Sequence, residues 1–400
     1  MDYDVAAVRA HFPALREGAA HFDGPGGSQV PDVVGDAVAA TLTAAIANRG
    51  RVTPAERRAD DIVVGARAAM ADLLAVDAGG VVFGRSMTQL TYDISRTLAK
   101  TWGPGDEVVV TRLDHDANIR PWVQAAEAAG ATVRWVDFDP RTGALTADHA
   151  AAAVCARTRL VAFTGSSNLI GSGPDVAAIA ALAHDAGALT YVDGVHLTPH
   201  VPVDAGALGA DFYACSPYKF LGPHCGVVAA DPALLASLHP DKLLPSADTV
   251  PERFELGTLP YELLAGTTAA VDFLAGLDPT ASGSRRARLV TSMTALVAHE
   301  ERLCLRLHAE LTAIDGVVVH AAAARRTPTL LFSVAGRPGR EVHARLADVG
   351  VNAPAGSFYA VEAARHLGLG DTGAVRAGLA PYTDDDDVDR LIAAVRAVAA

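Results

Sequence analysis

Between Val81 and Ser216 short apolar runs alternate with helical patterns, and nothing else in this 400-residue chain limits its fold so strongly. EVVVTRL, TVRWVDF, LVAFTGSSN, LTYVDG and FYACS read as strands. DHDANIRPWVQAAEAAG reads as a turn and a helix. PDVAAIAALAHDAG reads as a helix with Pro174 near its start and Gly187 past its end. Strands separated by helices predict a mostly parallel sheet covered on both faces. Ligands on such a sheet gather at the carboxyl ends of the strands, where residues 112–115, 165–168, 193–196 and 216–219 are expected.

The flanks extend this pattern. VAAVRAHFPAL predicts a short helix that must pack on something else, and HFDGPGGSQVP (21–31) a glycine-rich turn where backbone can approach a ligand. A helix over about 31–47 precedes a basic loop, NRGR (48–51). VVFGRSMTQLTYDISRTLAK reads as a strand, a break at Gly84 and a helix opening near Ser86; the free amides of such a junction suit a phosphate. Beyond Asp231, LPSADTVPERFELGTLPYELLAG is irregular and proline-punctuated. SGSRRARLVTSMTALVAHEERLCLRLHAELTAI then reads as one long helix, followed by smaller alternation in VVVHAA, PTLLFSV, EVHARLADVG, AVRAGLA and VDRLIAAVRAV. The expected units are an N-terminal segment (1–20) packing on the small domain, a large domain (21–282) and a small C-terminal domain (283–400). The four aspartates of TDDDDVD stand where the last helix begins, and are read as capping and dipole compensation rather than a metal site.

Composition narrows the function. The net charge of −13, with no basic stripe, argues against a nucleic-acid partner. The alanine-rich runs are broken by polar residues, so no membrane span is expected, and the N-terminus resembles no secretory signal. Four cysteines (Cys155, Cys215, Cys225, Cys304) show neither a metal spacing nor a disulfide framework, which points to a reducing cytoplasm.

Only three of the 33 basic residues are lysines: Lys100, Lys219 and Lys242. Lys219 stands just past the FYACS strand, in SPYKFLGP. A guanidinium stays protonated, whereas a partly buried amine can lose its proton and attack a carbonyl. Asp193 ends the preceding strand and could keep a pyridinium nitrogen protonated. Together they suggest a site for pyridoxal 5'-phosphate.

These motifs, in this order, resemble the class V aminotransferase family of fold-type I pyridoxal-phosphate enzymes, most closely its cysteine desulfurase-like subgroup. The likeness runs from about Phe22 to Leu391. It implies an α/β protein of fold type I, with a mostly parallel, seven-stranded-type sheet in a large domain and a smaller C-terminal α/β domain. Lys219 matches the family's Schiff-base lysine, and Asp193 the aspartate under the pyridine nitrogen. His115, in LDHDANIRPW, matches the histidine that stacks on the ring and shuttles protons. Asn168, in SSNLIG, and His196 fall beside the phenolic oxygen, while His200 reads as structural. Thr88, the amide of Met87 and Ser216 align with the phosphate cup, although Met87 and Tyr218 replace a hydroxyl and a histidine. Thr258, in FELGT, matches a threonine donated by the partner subunit, which implies a homodimer. Arg376, in AVRAGLAPY, matches the arginine that grips a substrate carboxylate.

One departure matters most. Desulfurases carry a nucleophilic cysteine on a loop before this arginine, and VNAPAGSFYAVEAAR places Tyr359 there. The expectation is therefore a Cβ–S bond lyase of desulfurase-like type acting on a cysteine-type amino acid. An aminotransferase, an epimerase of the same family and a non-catalytic cofactor-holding scaffold stay open. A nicotinamide reading rests on GSGPDV (171–176), but Val176 stands where a third glycine belongs, and that reading leaves Lys219 unexplained.

Overall fold

The computed structural model describes residues 3–321 and 323–400. Met1 and Asp2, of the expected N-terminal segment, and Ala322, of VVVHAA, lie outside the described residues. The strands of the main sheet are β1 (Val81–Gly84), β2 (Glu107–Thr111), β3 (Thr132–Val136), β4 (Thr158–Thr164), β5 (Leu189–Asp193), β6 (Phe212–Cys215) and β7 (Gly226–Ala230). They lie in the order β1-β7-β6-β5-β4-β2-β3. Pairs from β3 through to β6 are parallel, and β7 runs antiparallel to both its neighbours. This is the expected α/β class with a mostly parallel sheet.

The burial pattern explains why these strands read as unbroken apolar runs. Val109 packs into the core on one face while Val108 and Val110 pack into the core on the other. Each such side chain contributes roughly 1.5–3 kcal/mol on burial, so helices are held on both faces. The helices include α1 (Val5–Arg9), α2 (Asp32–Thr43), α3 (Pro54–Leu74), α4 (Met87–Ala99), α5 (Arg120–Ala129), α6 (Val176–Asp185), α7 (Tyr261–Ala275), α8 (Arg285–Thr312) and α9 (Asp385–Ala399). Further short ones run over Ala147–Ala151, Pro232–Ser237, Gly339–Ala347 and Val361–His366. Sequence reading did not assign α3. Its signal was present: Thr53 and Glu56 form a capping box with Pro54 in the first turn. Ala59, Val63, Ala66 and Met70 then face the core, and α3 packs on α7.

The C-terminal part carries its own antiparallel sheet: β8 (Val317–His320), β9 (Thr329–Val334), β10 (Ala355–Gly356) and β11 (Ala374–Gly378), in the order β10-β11-β9-β8. The start of the chain is shared between both parts. Arg9 pairs with Asp384 and Asp387 at the start of α9, while Val8 and Phe12 join the core of the large sheet. Ala20–His21 pairs parallel with Val351–Asn352, and Ala20 and Phe22 sit in the core of the smaller sheet. Residues 21 and 22, expected at the start of the large domain, thus pack with the C-terminal one. Asp384 caps α9 and forms a capping box with Asp387, the capping use expected of the aspartate run. Among the described residues no helix is long and apolar enough to cross a membrane.

Candidate active site

Register places the site. Thr164 of β4 lies opposite Asp193 of β5, and Asp193 opposite Ala214 of β6, so three parallel strands end at nearly one level. The segments 165–168, 194–196 and 216–219 therefore leave the sheet side by side. They line a cavity of about 730 Å³ together with Pro25, Gly26, Ser86, Met87, Thr88, His115, Phe358 and Arg376. Lys219, His115, Asp193, Met87, Thr88, Asn168, His196, Ser216 and Arg376, all singled out from sequence, are brought together here. Thr258 is not: it lies exposed on the segment before α7, outside the cavity.

Burial sets the proton affinities. Lys219 donates to Pro25 O, and its amine is pulled down to about 7 by burial and by the Arg376 charge, with Asp193 opposing. The Asp193 carboxyl is pushed up to about 6 by burial, against the Val195 amide, which donates to Oδ1 at 2.9 Å, and the Lys219 charge. His115 is held down to about 4 by burial and the charges of Lys219 and Arg376. Its Nδ1 accepts from the Ala117 amide at 3.0 Å, so the proton of the neutral ring sits on Nε2. His196 is likewise kept neutral by burial and then by His200, Arg376 and Lys219; its Nε2 lies 3.1 Å from Thr329 Oγ1. His200 hydrogen-bonds Glu300 at 2.9 Å and does not line this cavity.

The amino end of α4 forms a second wall. Ser86 caps the helix by accepting from the Gln89 amide at 3.1 Å, and the first-turn amides of Met87 and Thr88 carry no bond from the protein. Gly226 lets β7 run against this turn; any Cβ there would collide with the backbone of Ser86 and Met87. The arrangement is a cradle for an anion.

The third wall comes from the C-terminal domain. Arg376 on β11 is 2% exposed, and its Nη1 donates to Asn168 O at 2.8 Å. Its Nε is buried without a partner, and burial lowers its proton affinity to about 9. A buried unsatisfied donor costs about 1–3 kcal/mol, more when charged, so this guanidinium favours an incoming carboxylate. Phe358, which sequence reading missed, lies over Arg376 with 3.7 Å from guanidinium carbon to ring centre. Phe358 and Tyr359 both hold left-handed backbone, φ 51° and 61°. That conformation costs on the order of 1–3 kcal/mol per residue. It is fixed by Asn168 Nδ2 donating to Phe358 O at 2.9 Å and the Asp116 amide to Tyr359 O at 2.7 Å. Asn168 thereby spends its amide donor on Phe358, and Oδ1 is its free, buried atom. Tyr359 is 74% exposed at the mouth, its ring 5.4 Å from that of His115.

Two sequence alternatives meet this geometry. In GSGPDV the amide of Gly171 is bound to Ser167 O and its carbonyl to the Thr327 amide; a Cβ on it would press on Thr327 O. That loop is packed against the C-terminal domain, not open to a dinucleotide. None of the four cysteines lines the cavity; Cys215, Cys225 and Cys304 are buried, and burial raises all three thiols.

A lysine, an aspartate and an anion cradle at the strand ends of such a sheet define a pyridoxal-phosphate enzyme of fold type I. The comparisons agree. The family described as aminotransferase class-V matches residues 20–391, and the chain belongs to that family. An uncharacterised protein of Mycobacterium tuberculosis is 36% identical over 397 residues, 99% of either chain. A probable cysteine desulfurase of Pseudomonas aeruginosa is 32% identical over 406 residues, 97% of this chain and 96% of the other. The crystal structure of the cysteine desulfurase CsdA of Escherichia coli aligns with a TM-score of 0.86 at 27% identity, covering 99% of this chain and 98% of that one. The chain is thus a pyridoxal 5'-phosphate enzyme of the cysteine desulfurase-like subgroup, which removes the non-catalytic scaffold reading. Its own residues fit the cofactor: two free amides for the phosphate, an amine near neutrality and a buried carboxylate.

Proposed function

We propose that this protein is a Cβ–S bond lyase acting on a cysteine-type amino acid. The observation that carries the reading is a cavity that joins a readily deprotonated lysine to a buried guanidinium whose Nε is unpaired, and that includes no thiol among the described residues. Bound there, the cofactor supplies an electron sink for charge developing at the substrate's Cα. Met87, Thr88 and Ser216 would hold its phosphate, Thr88 and Ser216 through hydroxyls and the helix turn through amides. Asp193, ionised above about pH 6, keeps a proton on the ring nitrogen. His115, a neutral imidazole, would lie against the ring, and Asn168 and His196, which line the same cavity, would face its phenolic edge.

Arg376 binds the substrate carboxylate as a bidentate pair and so fixes the α-hydrogen relative to Lys219. Lys219 Nζ takes the α-proton; the Cβ–S bond breaks and the thiol leaves with a proton. The remaining 2-aminoacrylate hydrolyses to pyruvate and ammonia. No persulfide carrier is needed, in keeping with Tyr359 at the loop position where desulfurases hold a cysteine.

The reading extends to a cytoplasmic homodimer. Exposure of Thr258, with Leu243, Leu244 and Leu256 exposed along the same segment, supports donation of that threonine to the partner's phosphate site. The buried pair of Arg67 with Glu255 at 2.9 Å, and Phe83 N donating to Glu255 Oε1 at 2.9 Å, anchor this segment from inside.

Holoenzyme supplied with L-cysteine, cystine and S-substituted cysteines tests the reaction. Pyruvate is expected in amounts equal to the sulfur product: sulfide from L-cysteine, thiol from S-substituted cysteines and the persulfide thiocysteine from cystine. Alanine with sulfide, amino transfer to a keto acid, or racemised substrate without cleavage would each replace the lyase reading with desulfurase, aminotransferase or epimerase.

A further inference from the structure

A second cavity, of about 710 Å³ and open to solvent on one side, lies between α8 and the turn before β9. Glu300 and Cys304 of α8 line it, with His200, Arg326 and Thr327. Glu300 is 1% exposed. One of its oxygens is held by His200 Nδ1 at 2.9 Å, while the other, Oε1, is buried with no hydrogen-bond partner. Arg326 Nη1 is also buried without a partner, and among the described residues Arg326 forms no ion pair. A carboxylate and a guanidinium thus share one cavity without meeting.

Among the described residues Glu300 meets only His200, and Arg326 meets no carboxylate, so each leaves one buried polar atom unsatisfied beside the cavity. A lone anion near Arg326 would face Glu300 and Glu301; a lone cation near Glu300 would face Arg325 and Arg326. A molecule bearing both charges satisfies both. We propose that this cavity is a binding site for a small zwitterion of the amino-acid class, its ammonium donating to Glu300 Oε1 and its carboxylate accepting from Arg326. Cys304, its thiol pushed up to about 11 by burial, serves as wall rather than nucleophile.

The site backs onto the catalytic cavity at two points. Thr327 Oγ1 lies 2.9 Å from Ser166 Oγ, and Ser166 lines that cavity. The His200 ring stands edge-on to His196 at 5.3 Å, and His196 lines it too. The zwitterion would sit one side chain behind the substrate.

Calorimetry of the holoenzyme with N,N-dimethylglycine tests the proposal, because a tertiary amine cannot condense with the cofactor. Saturable binding is expected, weakened about tenfold or more by Arg326→Gln and by Glu300→Gln, and retained in Arg376→Lys. Absence of saturation in the wild type means that the cavity holds only water, and overturns the proposal. Binding that Arg326→Gln leaves unchanged overturns it as well, whatever Arg376→Lys does. Should Glu300→Gln fail to fold through loss of the His200 contact, Arg326→Gln at its half-buried position decides alone.

Discussion

The catalytic cavity has two differently built sides. On the large-domain side, Asp193, Ser216 and Lys219 leave adjacent strands whose ends are fixed by parallel register. On the C-terminal side, Arg376 comes from an antiparallel strand, and Phe358 and Tyr359 from a loop in left-handed backbone. Backbone hydrogen bonds hold the first side wherever its side chains point. The second side depends on contacts across the domain boundary: Asn168 to Phe358 O, Asn168 O to Arg376, Asp116 to Tyr359 O. The proposed cofactor groups lie on the first side and the proposed substrate groups on the second. Reaction choice can therefore vary through a loop while the sheet stays as it is.

Substitutions on the two sides should separate accordingly. The largest effect is expected for Lys219→Ala: turnover falls by at least about 10³-fold, and the absorption of the bound cofactor shifts. An unchanged visible spectrum would take Lys219 out of the site. Next, Arg376→Leu should lower kcat/KM by about 10²-fold or more while leaving that spectrum intact, since it removes a charged partner of the substrate and none of the cofactor. Loss of cofactor in this variant would erase the division between the two sides.

Third, the rate at which apoprotein captures pyridoxal phosphate should follow neutral Lys219. Its amine is pulled down to about 7, so the neutral fraction grows about tenfold per pH unit below 7 and levels off above it. A rate still climbing at pH 9–10 would mean an amine surrounded by water. The smallest effect is expected for Phe358→Ala, which uncovers Arg376 and removes a contact worth about 0.5–2 kcal/mol. KM should rise by about two- to thirtyfold with kcat little changed; a matching loss in kcat would give Phe358 a part in the chemistry.

The strand ends were legible because parallel strands buried on both faces must be continuous apolar runs, and the residue after each run must then lie at the sheet's edge. That is how Lys219, Asp193 and Asn168 could be placed from sequence; that the glycine-rich turn of 21–31 comes beside them was for the structure to show. Helix α3 was legible from its capping box but went unread. Phe358 carried no signal: nothing local in GSFYA shows that its ring will cover an arginine on another strand. Nor could Phe22 be assigned to the smaller core, because Asn352, whose carbonyl accepts from its amide, lies some 330 residues further along the chain.

The sequence by itself determined the alternating α/β architecture, the retained lysine and the absence of a cysteine from the loop at Tyr359. All three are properties of periodicity or residue identity, which need no folding to be read. Only the tertiary structure decided that Arg376 is buried with Nε unpaired, that Asn168 spends its donor on Phe358, and that Glu300 and Arg326 face one cavity without meeting. These are distances and burial between segments remote in sequence. A charge acquires its cost, or its readiness for a ligand, from what surrounds it in space.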